Sequence, residues 1–223
     1  MVALWHEVRL VGFVAVRVVL ADDEALLRRG LKVLLEADGR VEVVGEAADG
    51  AELVDAVLAC LPDVVLVDVQ MPGVDGLEAV RRLRTWATPP AIAVLTTFDL
   101  DDYVATALDL GAQGFLLKDA EPETLVRAVV DLAAGGAVLD PRITARLLPR
   151  LRGFRANRQL DSLSARERQV LELLAGGRSN HSIADELCLS EATVKSYVST
   201  VLTKLGVENR VQAALVAHQV GVW

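Results

Sequence analysis

From Phe13 to about Gly136 the chain alternates short, continuous apolar runs with longer segments in which apolar residues return every three or four positions. The runs are Val14–Ala21, Val41–Glu46, Val64–Asp68, Ala91–Thr96 and Gly114–Leu117. Each is of strand length and bounded by turn formers, the pattern of strands buried on both faces. Helical spacing marks Glu24–Ala37, Ala51–Ala59, Gly76–Trp86, Asp101–Leu110 and Glu121–Ala134. Asp49 with Glu52 reads as a capping box for the second of these helices. Five strand–helix repeats with right-handed crossovers predict an α/β domain. Its sheet is doubly wound, parallel and five-stranded, with helices on both faces. Ligands then belong at the carboxyl ends of the strands.

Gly135–Gly136 closes this unit, a short helix is expected over Ile143–Leu151, and Arg152–Asp161 is polar and Arg-rich. Beyond it the strand signal vanishes. Ser164–Ala175, Ser179–Leu187, Ser190–Leu205 and Asn209–Val220 read as four helices of a small all-α domain. Ser164 to Glu167 forms a capping box, Gly176–Gly177 a helix stop, and Ser190 an N-cap. The expected layout is an extension at 1–14 with no assigned function, an α/β domain at 15–136, a linker at 137–158 and a helical domain at 159–223. Val16 to Val19 already supplies a full first strand without the extension.

Charge separates the two units. Residues 1–149 hold 13 Lys/Arg against 24 Asp/Glu, net −11, whereas residues 150–223 hold 10 against 7, net +3. An acidic front and a mildly basic tail call for different partners, and only the tail suits nucleic acid. With 52% apolar residues the chain builds a packed core. The two cysteines, Cys60 and Cys188, make neither a disulfide framework nor a metal site; they read as buried free thiols, consistent with a reducing cytoplasm. The apolar stretch Leu10–Ala21 is broken by Arg17 and too short for a membrane helix. It also lacks the marks of a signal peptide.

Three carboxylates fall at strand ends: Asp22 and Asp23 after the first strand, Asp68 at the end of the third. Charges brought that close repel unless a cation joins them, and a hard dication such as Mg²⁺ satisfies carboxylate, carbonyl and water oxygens. The plainer alternative is that strand-end Asp residues, Asp23 above all, cap the helices that follow. Thr96 ends the fourth strand and Lys118 follows the fifth, so a hydroxyl and an ammonium face the same edge. Together they describe a phosphoryl-accepting site. Asp68 is the nucleophile, Mg²⁺ bridges carboxylate and phosphoryl oxygens, and Thr96 and Lys118 hold the rest.

The stretches Leu20 to Asp23, Leu66 to Gly76, Leu95 to Thr97 and Gly114 to Lys118 resemble, in order, the motifs of the receiver domain of bacterial response regulators, a flavodoxin-like fold. The resemblance covers about residues 16–134. It implies phosphorylation of Asp68 by a sensor histidine kinase. It also implies Mg²⁺ on Asp23, Asp68 and the backbone carbonyl of Gln70, with Asp22 acting through water. Thr96 and Phe115 become a switch pair, although Phe115 alone would read as a core aromatic. Gln70 and Phe98 flank the path of the hydrolytic water. Many receivers place Pro after the lysine; here Asp119 follows.

In the tail, Ile183, Ala184, Leu187, Val194, Val198 and Leu202 recur at helical spacing and would pack two helices across a turn at Cys188 to Ser190. Thr193, Lys195, Ser196, Ser199, Thr200 and Thr203 are left on the outward face. Small hydroxyls and one lysine suit a helix entering a major groove. Residues 159–221 resemble the LuxR-type helix-turn-helix. By analogy, Lys195, Ser196 and Ser199, beside Thr193, are expected at base edges, and Arg178, Lys204 and Arg210 at phosphates. Tyr197 stands where many relatives have His and faces either DNA or the core. His181 and His218 have no ligand partners at useful spacing.

A receiver followed by this tail is the NarL/FixJ layout. It implies a cytoplasmic two-component transcription regulator that is not an enzyme, dimerises on phosphorylation and binds promoter DNA as a homodimer. A haloacid-dehalogenase-type phosphatase would need an acid where Gln70 stands. A regulator working without phosphorylation would not need the full set Asp22, Asp23, Asp68, Thr96 and Lys118. A small-molecule quorum sensor would need a different front domain.

Overall fold

The computed structural model describes residues 15–96, 101–140, 142–144, 160, 162–207 and 209–219. The extension at 1–14, Phe98, most of the linker and all but the start of the expected Ile143–Leu151 helix lie outside the described residues. The first domain runs β1 (Val16–Ala21), α1 (Ala25–Glu36), β2 (Val41–Ala47), α2 (Gly50–Cys60), β3 (Val64–Asp68) and α3 (Gly76–Arg84). It continues with β4 (Ala91–Thr96), α4 (Asp101–Asp109), β5 (Gly114–Leu117), α5 (Pro122–Ala133) and β6 (Val138–Leu139).

The sheet is parallel throughout, in the order β2-β1-β3-β4-β5-β6. It therefore has six strands where the sequence pattern predicts five. The sixth is two residues long, pairing Gly114 with Val138 and Phe115 with Leu139, and two residues cannot carry a periodic signal. Alternation along each strand builds two cores. Val19, Ala21, Val65, Val67, Val94 and Phe115 pack with Leu53, Val57, Val80 and Leu83. Val18, Leu20, Leu66, Leu95 and Leu116 pack on the other face with Leu31, Leu35, Leu125 and Val129. Helices thus cover both faces, and the strand ends converge on one edge.

Asp49 accepts from the backbone N–H of Ala51 and Glu52, both at 2.8 Å. Glu52 returns its carboxylate to Ala48 N and not to Asp49, so the expected box is displaced by one residue.

The tail contains α6 (Ala165–Ala175), α7 (Asn180–Leu187), α8 (Glu191–Leu205) and α9 (Arg210–Gln219). Ser164 and Glu167 form the capping box: Ser164 N donates to Glu167 Oε2 at 2.7 Å and Glu167 N to Ser164 Oγ at 3.3 Å. α7 stops at Cys188 in the left-handed region, and Ser190 caps α8 through Thr193 N at 3.1 Å. That turn leaves Cys188 exposed, against the expectation of burial, while half-buried Cys60 donates to Val44 O. Ala213, Ala214, Val216 and Ala217 of α9 complete the tail core. Val211 and Leu215 of the same helix join the first domain's cluster with Val104, Ala107 and Leu108. Among the described residues no helix is long and apolar enough to cross a membrane.

Candidate functional site

Parallel strands place β1, β3, β4 and β5 side by side, so the residues at their carboxyl ends meet. Asp22 and Asp23 follow β1, Asp68 ends β3, Thr96 ends β4 and Lys118 follows β5. Carboxylate oxygens of Asp22, Asp23 and Asp68 lie within 4.8 Å of one another. Lys118 Nζ stands 2.8 Å from Oδ2 of Asp22 and 2.8 Å from Oδ2 of Asp68. Asp22, Asp68 and Thr96 are buried, whereas Asp23 is exposed. α1 has no side-chain cap; its first turn is instead tied by Asp22 Oδ1, which accepts from Glu24 N at 2.8 Å. The capping role considered for Asp23 is not used.

The electrostatics are unbalanced. Burial pushes the Asp68 carboxyl up, against the hydrogen bond and charge of Lys118, the N–H of Gln70, and with a further upward push from Asp22. Burial pulls Lys118 down, but the two carboxylates beside it outweigh that and hold its pKa above the ordinary lysine value. Three carboxylates gather here, and among the described residues one close ammonium, that of Lys118, pairs with two of them. Such a set of hard oxygen donors, with excess negative charge, suits a divalent cation.

Two residues beyond the strand-end reading shape the site. Arg28 donates to the backbone carbonyl of Asp22 and, at 3.3 Å, to Glu46, anchoring the turn that carries both aspartates. Gly76 opens α3 directly against Asp68, its N–H donating to Val69 O at 3.0 Å. A Cβ there would sit 1.9 Å from the Asp68 carbonyl oxygen, so only glycine lets the loop return this closely. Gln70 N lies 3.3 Å from Asp68 Oδ1. Phe115 is fully buried on β5, next to the strand that ends in Thr96. The Lys118–Asp119 bond is trans.

In the tail, Lys195, Ser196, Ser199, Thr200 and Thr203 are exposed along α8. The Thr200 and Thr203 hydroxyls donate to the carbonyls of Ser196 and Ser199, both at 3.0 Å. Half-buried Thr193 has its hydroxyl 2.8 Å from Ser190 Oγ. Tyr197 packs against the helical core. His181 Nδ1 lies 2.9 Å from Glu191 Oε1, bridging α7 and α8.

The expected phosphate contacts divide. Arg178 is exposed. Lys204 Nζ binds Glu167 at 2.7 and 2.9 Å and Ser162 O at 3.1 Å, so its charge is engaged within the tail. Arg210 is buried and donates to the carbonyls of Gly135 and Arg178 and to Asn180 Oδ1. Among the described residues it has no carboxylate partner, and burial pushes its pKa down to about 10. Asn209 Nδ2 donates to Leu108 O at 2.9 Å beside it. In this arrangement Arg210 joins the two domains and faces no open surface.

Two family models match the chain: "Response regulator receiver domain" over residues 18–130 and "Bacterial regulatory proteins, luxR family" over residues 161–217. The DNA-binding transcriptional activator DevR/DosR of Mycobacterium tuberculosis is 42% identical over 205 residues, covering 92% of this chain and 94% of its own. The crystal structure of the response regulator ChrA of a heme-sensing two-component system is 38% identical with a TM-score of 0.54, covering 94% of this chain and 99% of that one. The response regulator RcsB in complex with DNA is 28% identical with a TM-score of 0.55, covering 92% and 99%.

Proposed function

Because the chain belongs to the response regulators that join a receiver domain to a LuxR-type DNA-binding domain, we infer that it is switched by phosphorylation of Asp68. The protein is a transcriptional regulator; the inference concerns the chemistry that controls it. One observation carries it: a lysine ammonium 2.8 Å from two buried strand-end carboxylates, with a third carboxylate within 4.8 Å.

The donor is a phosphohistidine on a sensor kinase. An Asp68 carboxylate oxygen forms a bond to phosphorus as the phosphorus–nitrogen bond breaks, and the imidazole leaves, regaining its proton. Lys118 exchanges its contact with Asp68 for a phosphoryl oxygen, and the Thr96 hydroxyl holds another. Asp22, Asp23, Asp68 and the Gln70 carbonyl are the residues that would hold Mg²⁺, which when bound supplies positive charge to the phosphoryl oxygens. Phe115 follows Thr96 and carries the change away from the site.

The phosphorylated receiver then pairs with a second copy, and two tails engage promoter half-sites in the cytoplasm. Lys195, Ser196 and Ser199, exposed on α8, read bases, with Thr193 at its start. Arg178 meets phosphate. Arg210 and Lys204 reach phosphate only after giving up their present partners.

Asp68→Asn, close to isosteric, should abolish Mg²⁺-dependent labelling by acetyl phosphate and leave the circular dichroism spectrum unchanged. Label persisting on another residue would overturn the assignment. If wild-type protein takes no label yet binds DNA, the protein works without phosphorylation.

A further inference from the structure

Asp119, where many receivers carry proline, has a structural counterpart. Its carboxylate accepts two hydrogen bonds from Arg142, Nη1 to Oδ2 at 3.2 Å and Nη2 to Oδ1 at 3.1 Å. The same guanidinium reaches Asp140, Nε to Oδ1 at 3.1 Å and Nη2 to Oδ2 at 3.0 Å. Arg142 N also donates to Asp140 Oδ1 at 2.8 Å. Asp140 is itself anchored, its N–H donating to Phe115 O at 2.9 Å in continuation of the β5–β6 pairing. Ile143, which follows Arg142, is buried in the first domain's core.

The planar fork of arginine is thus engaged on two carboxylates at once, a geometry no lysine reproduces. An exposed ion pair by itself contributes little. Here the Asp140 side chain is only 9% exposed, and its backbone is already tied to the sheet. The guanidinium therefore transmits the position of the sheet edge to Asp119. Asp119 is bonded covalently to Lys118, whose ammonium is shared between Asp22 and Asp68. No pyrrolidine ring restrains this turn, so its backbone keeps freedoms that a proline would remove. Small displacements of a charged group at a reacting centre carry large rate penalties.

We propose that Arg142 is a positioning residue for phosphoryl transfer: by clasping Asp119 to Asp140 it holds the turn that presents Lys118 to Asp68. The proposal rests on the reading of Asp68 as phosphoacceptor. It assigns to side-chain charge a restraint that a ring could otherwise provide, and it makes that restraint sensitive to salt.

The test uses full-length protein with Mg²⁺ and phosphoramidate, a donor too small to depend on docking. The phosphorus–nitrogen bond breaks as Asp68 forms its bond to phosphorus, and the protonated nitrogen leaves as ammonia. Arg142→Gln should slow labelling about threefold to tenfold at low salt, and Asp119→Asn should do the same. The double variant should be no slower than either single one, since both break one clasp. In 1 M salt, where screening acts within about 3 Å, the ratio of wild-type to Arg142→Gln rates should fall toward one. Arg142→Lys, which keeps charge but not the fork, should stay slow. A ratio near one at low salt, an unchanged ratio in high salt, or multiplicative slowing in the double variant would overturn the proposal alone, provided Asp68→Asn takes no label. Wild-type protein without label, or label that survives Asp68→Asn, would overturn the phosphoacceptor reading and this proposal with it.

Discussion

Asp68 holds its charge against burial, and that has a sign. Its folded pKa lies above the unfolded one, so the stability linked to its proton is present at low pH and lost as pH rises through the folded value. Ionised Asp68 is therefore a cost at neutral pH without a dication. Asp68→Asn should melt higher than wild type in EDTA at neutral pH, and the gap should close on acidification as wild type takes up its proton. Mg²⁺ at ten times its dissociation constant should recover about 1.4 kcal/mol in wild type and little in Asp68→Asn, read by differential scanning calorimetry. The strand-end acids, Thr96 and Lys118 were legible because strand termini can be located by pattern alone. Arg210 and Lys204 were not. Helical spacing shows which face a cation occupies, but not that Glu167, already used as a cap, would also hold Lys204, nor that Arg210 would be enclosed by another domain.

Elements constrain the site through their ends. Gly76→Ala would drive a methyl group into the Asp68 carbonyl. It should cost about 1–3 kcal/mol in urea denaturation, as overpacking does, and slow labelling because Asp68 itself must shift. Ser164→Ala removes half of the capping box of α6. A loss of about 1 kcal/mol is expected from such a cap, confined to the tail in hydrogen exchange. Pattern located β3, β4 and β5 residue for residue, because apolar runs there are bounded by Gly, Pro, Thr or charged positions. It missed β6, whose two residues pair only because β5 offers an open edge. The box at Asp49 was right in composition and wrong in register: Glu52 takes the N–H of Ala48, a choice of one peptide group over the next.

At the scale of the whole molecule the two domains are held by α9. Arg210 donates to carbonyls of both domains, one following α5 and one following α6, where the negative ends of two helix dipoles favour a cation. Arg210→Ala would leave those carbonyls without that donor, at about 1–3 kcal/mol. The radius of gyration in small-angle X-ray scattering should then grow, and one thermal transition should become two. Activation should move the same way. A single tail at net +3 should bind DNA weakly, whereas joining two would make the second contact intramolecular. BeF₃⁻ with Mg²⁺ should shift the protein from monomer to dimer by light scattering and tighten DNA binding in parallel. Tighter binding without a change in mass would mean that release of the tail is sufficient.

The division of α9 between two cores also bears on inheritance. Val211 and Leu215 join the first domain's core with residues of α4, while Ala213, Ala214, Val216 and Ala217 belong to the tail. A crossover in the linker that grafts a foreign receiver onto this tail would strand the first pair in water, or press them on a surface never shaped for them. Productive exchange must therefore match Val211 and Leu215, far along the chain, to the incoming receiver. The fit between a receiver and its tail is thus set partly in the last helix, and not in the linker between the domains alone.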